Sequence, residues 1–363
     1  MRIPILLFTC VLFFVTSCKK TNQQTLPVVP VDSAMYFPPT VGNEWRANTP
    51  ASLNWDANKL NATLNFLEAK NSKAFIILQN GRVVVEKYFG SFQQDSIWYW
   101  ASAGKTMTGF LVGVAQKNGL LNIENKSSHY LGTGWTSLPL AKENLITVKH
   151  QLMMTTGLDD GTGDTDCTLP PCLQYKVDAG IRWAYHNAPY TLLDKVIENA
   201  SGMSYNAFFQ QFVRNKIGMN GFWIKTPNAN NVLYSTPRSM ARFGLLMLNK
   251  GTWDGQKVLD DTTYFNNQTN TSQNLNLGYG YLTWLNGKAS YKLPTTQFLF
   301  NGTIVPNAPA DMYAALGKND QKIYIVPSKK LVIIRMGNAT GNPTLTLSSF
   351  DNELWGYLKD LIN

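Results

Sequence analysis

The chain has 363 residues, of which 44% are apolar and 12% aromatic, and its net charge is +9. That is ample apolar material for a sizeable core, in one long domain or two. The 32 lysines and arginines are scattered and form no dense basic run, which excludes nucleic-acid binding as the meaning of the charge.

Arg2 followed by the apolar run of residues 3–15 reads as a signal peptide, too short to span a bilayer stably. The run ends in Val15-Thr16-Ser17-Cys18, which resembles the lipobox of bacterial lipoproteins. The resemblance implies removal of residues 1–17, a lipid on the sulfur of Cys18, and an exported protein anchored on the periplasmic or cell-surface side of a membrane. Residues 18–33 are polar, then proline-rich, and read as a flexible tether. Residues 34–363 form the functional domain.

Residues 56–70 carry Leu60, Leu64 and Leu67 at helical spacing, with Asp56 as N-cap. Two strand-like runs, 74–79 and 82–89, flank Asn80-Gly81, a strong hairpin signal. The middle of the chain is mostly helical, over 102–118, 190–200, 205–216 and 237–249. Gly119, Gly202, Gly218 and Gly251 stand just past those ends, where C-cap glycines belong. Residues 268–276 are polar and read as a surface loop. Near the C-terminus, strands 322–326 and 331–336 bracket a turn at 327–330, and residues 350–362 form a final amphipathic helix. Strands near both ends, each with a helix beside it, predict one antiparallel sheet covered by the terminal helices, with the middle, roughly 110–250, read as a helical insertion. Cys167 and Cys172 remain once the leader and Cys18 are set aside, and an exported protein makes a local disulfide the expectation. Asp164 and Asp166 stand nearby without a histidine, so no metal site is assigned.

Ser102-Ala103-Gly104-Lys105 opens a helix whose following turns are apolar. Serine and lysine three apart share a helix face. The serine lies near free backbone N–H groups at a helix N-terminus, which favours negative charge on an attacked carbonyl. The lysine, one turn deeper in apolar surroundings, is expected to lose proton affinity from about 10.4 toward neutrality, where a base is useful. The S-x-x-K pattern is weak alone, since Ser17–Lys20 also fits it. The second element is Tyr185-His186-Asn187, just before a helix; Tyr264–Asn266 also fits Y-x-N. Alternation puts Tyr185 and Asn187 on one side and His186 on the other, so His186 reads as structural. The chain has no G-x-S-x-G elbow, and none of His129, His150 or His186 begins H-E-x-x-H.

S-x-x-K followed some eighty residues later by Y-x-N, with Thr147–Leu158 between them, resembles the class C β-lactamases, penicillin-binding proteins and related esterases. The resemblance covers roughly residues 40–360. It implies an α/β sandwich with an all-helical subdomain at roughly 110–250. It also implies Ser102 as the acylated nucleophile, Lys105 as the group that deprotonates it, and Tyr185 as the proton shuttle to the leaving group. Asn187 would hold Lys105 and contact substrate. The K-T-G or H-x-G triplet of many relatives is absent. Gly317-Lys318 stands before strand 322–326 instead, as in the branch that includes 6-aminohexanoate-dimer hydrolase. There the N–H of Lys318 would be the second oxyanion donor beside that of Ser102. The expected function is hydrolysis of a small amide or ester through an acyl-enzyme, without a cofactor. The alternatives are a D-alanyl-D-alanine peptidase or β-lactamase, which the absent triplet disfavours, and an inactive binding lipoprotein, which the intact motifs disfavour.

Overall fold

The computed structural model describes residues 34–341 and 347–362. The segments read as signal peptide and tether, with Cys18, lie outside them. Asp56 caps α1 (Ala57–Ala69), its Oδ1 accepting from the N–H groups of Asn58 and Lys59. Strands β1 (Ser72–Gln79) and β2 (Arg82–Tyr88) are joined by Asn80 and Gly81, both at positive φ, as a tight two-residue turn requires. Gly81 is obligatory for a second reason: a Cβ there would fall 1.8 Å from the carbonyl oxygen of Tyr36.

The middle of the chain runs from β3 (Trp98–Tyr99) through α2 (Gly104–Lys117), α3 (Val148–Leu152), α4 (Asn187–Thr191), α5 (Leu193–Ser201) and α6 (Tyr205–Phe209). Gly119, Gly202, Gly218 and Gly251 all adopt positive φ. Strands β4 (Phe222–Lys225) and β5 (Asn231–Ser235) follow, and the order β3-β5-β4 makes a small antiparallel sheet that the helical periodicity of the middle did not indicate. Helices α7 (Pro237–Leu248) and α8 (Thr262–Thr269) come next.

The C-terminal part supplies β6 (Trp284–Leu285), β7 (Tyr313–Gly317), β8 (Gln321–Val326), β9 (Leu331–Gly337) and α9 (Ser349–Leu361). With β1 and β2 these form a six-stranded sheet, order β2-β1-β9-β8-β7-β6, antiparallel throughout. The period-2 alternation of β8 sorts its two faces. Lys322 and Tyr324 reach Asp351 of α9, while Ile323 faces α7 at Gly244. Gly244 permits the close approach of helix to sheet, since a Cβ there would lie 2.4 Å from Val332. On the other face α1 packs on α9 through Phe66, which stacks on Phe350 at 5.8 Å and Tyr357 at 4.7 Å. The result is an α/β sandwich with the sheet between two helical layers. No helix among the described residues is long and apolar enough to cross a membrane.

One expectation holds only in part. Residues 270–276 lie outside helix and strand and residues 269–275 are half-buried or exposed, but Gln268 belongs to α8 and is, like Asn276, fully buried. Gln268 Nε2 donates to the carbonyl of Thr106 in α2, and Asn276 Oδ1 accepts from the N–H of Lys292. The amides are buried because each stands in for a backbone partner.

Candidate active site

Residues 101–103 form a single 3-10 turn that runs directly into α2. Ala101 holds φ of 48°, a left-handed conformation that costs a non-glycine residue about 1 kcal/mol or more. The turn is clamped by the end of β7. A Cβ at Gly317 would lie 2.4 Å from the carbonyl oxygen of Trp100 and 2.9 Å from the N–H nitrogen of Ala103. Since β6 pairs only with Tyr313 and Ala314, the Gly317 end of β7 is left to pack on the serine turn.

Lys105 Nζ donates to Ser102 Oγ at 3.0 Å. The lysine is 4% exposed and has no carboxylate at ion-pair distance among the described residues. Burial brings its pKa from 10.5 down to about 7, against an opposing pull from Asp166. The ammonium site lies over two aromatic faces, 4.2 Å from the Tyr190 ring centroid and 4.9 Å from that of Tyr185. An amine held at neutral pKa, in contact with a hydroxyl, has the geometry and proton affinity of a general base.

Tyr185 is fixed by other rings. It stacks on Trp284 at 5.8 Å and 24° and meets the edge of Tyr279 at 6.2 Å. Tyr185, Asn187, Ser102 and Lys318 line one cleft of about 460 Å³. The backbone alternation that the motif implies holds: His186 turns inward, 2% exposed, and burial lowers its pKa to about 4. Asn187 Oδ1 is buried and makes no hydrogen bond with a described residue, so it does not hold Lys105 here. The Lys318 side chain is exposed. Only its position beside Ser102, at the end of β7, bears on the site.

A second cavity of about 420 Å³ also opens on Ser102, so the serine stands between two. Tyr99, Tyr190 and Tyr234 supply its aromatic wall, and Lys105, Asn187 and Asp166 its polar one. Asp166 sits beside Cys167, which is joined to Cys172 by a disulfide with Cα atoms 5.9 Å apart. That loop is tied to the helix after Tyr185 by the N–H of Ala188, which donates to the carbonyl of Thr165. The first cleft carries two ion pairs in its wall, Arg182–Asp160 at 2.7 Å and Lys176–Asp159 at 3.3 Å.

Sequence reasoning missed Asp166 and Tyr190 as members of the site. In the sequence Asp166 stands out only as a carboxylate without a nearby histidine, and Tyr190, one turn beyond the Y-x-N motif, reaches Lys105 only through the fold.

A serine and a desolvated lysine on one helical turn are faced by a tyrosine and flanked by the free end of a strand, the arrangement that a lysine-base serine hydrolase would need. The comparisons give the family. The β-lactamase family model matches residues 67–349, and the chain belongs to that family, whose members are in general serine hydrolases. An uncharacterised protein of Alkalihalophilus pseudofirmus is 22% identical over 334 residues, covering 82% of this chain and 93% of its own. A solved structure from Bacillus anthracis, provisionally named a 6-aminohexanoate-dimer hydrolase, aligns with a TM-score of 0.66 at 18% identity over 87% of each chain. A penicillin-binding-protein homologue from Caulobacter crescentus aligns with a TM-score of 0.62 at 14% identity, over 83% of this chain and 97% of that one. At these identities the structures speak for the fold.

Proposed function

We propose that the protein hydrolyses a small amide or ester through an acyl-enzyme on Ser102. The 3.0 Å contact between Ser102 Oγ and a lysine whose pKa lies near 7 carries the reading. Neutral Lys105 takes the hydroxyl proton as Oγ attacks the substrate carbonyl, and the N–H groups of Ser102 and Lys318 hold the oxyanion. The proton passes by way of Tyr185 to the leaving group, and the carbon–heteroatom bond breaks. A water then adds to the ester carbonyl by the same proton path in reverse, releasing the acid and restoring Ser102. The absence of a K-T-G or H-x-G triplet favours amides and esters over β-lactams and peptidyl carboxylates as substrates.

The test is a pre-steady-state burst with a p-nitrophenyl ester, together with fluorophosphonate labelling. A burst of one equivalent per chain and a label on Ser102 are expected; no label and no burst across a panel of acyl substrates would leave only a binding protein. Nitrocefin turnover faster than that of every ester and amide would assign the β-lactamase alternative instead. For location, we propose export and lipidation at Cys18, on the leader and lipobox-like sequence. Cys18→Ser should release the protein from membranes, and a wild-type chain without an acyl mass would overturn that reading.

A further inference from the structure

A third cavity, of about 450 Å³, shares no lining residue with the two at Ser102. It forms where the first turns of α7 meet residues 214–220 and the extended segment 40–43. Its walls carry Arg214, Arg238 and Arg242 and no acidic residue.

The three arginines are not equivalent. Arg238 is neutralised by Glu86, with Nε and Nη2 donating to the two carboxylate oxygens at 2.7 and 2.8 Å. Arg242 is 5% exposed, yet has no carboxylate at ion-pair distance among the described residues. Its Nη1 donates to the carbonyl of Ile217 at 2.7 Å and its Nη2 to that of Pro39 at 2.8 Å, and the guanidinium lies 5.2 Å from the ring centroid of Trp45 and 5.6 Å from that of Trp253. Another buried arginine, Arg335, shows what a purely structural guanidinium does in this fold. It makes five hydrogen bonds, to Ser72, Asn319, Asp320, Lys70 and Asn338. Arg242 makes two, out of the same five donors. Arg214, half-buried and lining the same cavity, adds one 3.3 Å bond to the carbonyl of Gly221.

The local electrostatics are unfavourable as they stand. Arg238 and Arg242 are four apart on α7, where like charges repel. Both lie in the first half of the helix, nearer the end whose dipole disfavours cations. One side-chain acceptor in this wall, Asn220 Oδ1, is already taken by the hydroxyls of Thr236 and Ser239 and by the N–H of Thr236. Burial lowers the pKa of Arg242 to about 10, with Arg238 adding to the effect. An anion in the cavity reverses each of these terms at once.

We propose that this cavity binds a phosphate-bearing ligand, held between Arg242 and Arg214. Two guanidiniums without a carboxylate call for a dianion. A phosphomonoester is near that charge at neutral pH, and it offers the oxygen geometry that guanidinium forks match. The phosphate belongs either to a soluble metabolite or to a lipid headgroup.

The experiment uses the full chain with Cys18→Ser, so that no acyl group supplies membrane affinity. Inorganic phosphate should raise the melting temperature saturably, beyond the effect of sodium chloride at equal ionic strength. Arg214→Gln removes a half-buried guanidinium and should weaken that response at least tenfold in apparent Kd while Ser102 still reacts with fluorophosphonate. Arg242→Gln should do the same; if it does not fold, Arg214→Gln decides. Flotation with phosphatidylcholine vesicles, with and without phosphatidic acid, separates the sources. Binding to phosphatidic acid that Arg214→Gln abolishes assigns a lipid headgroup, and binding of free phosphate alone assigns a soluble ligand. A phosphate response no larger than that of chloride, with no vesicle binding, overturns the proposal, as does a response that Arg214→Gln leaves unchanged.

Discussion

Two lysines are buried in this molecule to nearly the same degree, Lys105 at 4% exposure and Lys322 at 0%. Lys322, on β8, meets Asp351 Oδ2 at 2.8 Å and Asp320 Oδ1 at 3.2 Å. The carboxylates are themselves satisfied: Tyr324 donates to Asp351, while Ser348 and Thr340 donate to Asp320. Burial would raise the pKa of Asp320, but Lys322 and the two hydroxyls hold it below the usual carboxylate range. Lys105 has a hydroxyl, two aromatic faces and the field of Asp166. Burial therefore does not make a base. The missing counter-ion does, because desolvation then goes unanswered and brings the pKa of the amine down to about 7. One lysine fastens the terminal helix to the sheet, and the other is left with a pKa suited to chemistry.

The sharpest way to break this comparison is to remove each amine. Lys105→Met should lower the rate of Ser102 acylation by roughly 10³-fold or more, measured as burst rate, because nucleophile and base act as a unit. Tyr185→Phe should cost on the order of 10²–10⁴ in kcat/KM. If Tyr185→Phe keeps full turnover and loses only stability, the tyrosine is a core ring and the proton path is wrong.

Stability should respond in the opposite order. Lys322→Met leaves two carboxylates buried without their cation and should destabilise by about 3–5 kcal/mol in urea unfolding. Lys105→Met should be neutral or stabilising at pH 7, since it removes a desolvated amine that no acid pairs. Equal losses in the two variants would erase the distinction.

The pH dependence sharpens it further. On the proposed route acylation needs neutral Lys105, so kcat/KM should rise with pH through about 7. Asp166 favours the ammonium, so Asp166→Asn should move that limb to lower pH. The folded pKa lies below that of the free amine, so between about 7 and 10.5 the unfolded chain binds more protons, and Lys105 makes stability rise with pH there. Lys105→Met should remove that slope from a set of urea titrations. Reduction of the Cys167–Cys172 disulfide should cost about 2 kcal/mol and expose two thiols.

The elements that the sequence made legible are those with local causes. Asn80-Gly81 dictates a tight hairpin, Asp56 a helix start, and the glycines after α2 and α7 their ends. Ser102 and Lys105 were legible because three residues along one helix suffice to bring them together. What stayed hidden depends on distant partners. Strands β4 and β5 have only four and five residues, too short for a period to stand out. Gln268 looked like a loop residue because nothing nearby in sequence shows that the carbonyl of Thr106 awaits it. Lys105 and Lys322 both sit in apolar strings, and only the fold tells which receives Asp351. Arg214 and Arg242 are 28 positions apart and share a wall only after α7 has packed against the segment from 214 to 220.

The placement of Ser102 between two cavities has a kinetic consequence. On the proposed acyl-enzyme route, with the leaving group in one cavity and the acyl group in the other, departure of the first product would empty one while the ester still fills the other. The vacated space is then the way in for whatever attacks the ester next. An alcohol or amine that fits there competes with water, and the acyl group is transferred to it instead of being hydrolysed. The ratio of transferred to hydrolysed product, measured against a series of added acceptors, would therefore map the shape of the vacated cavity without a bound ligand.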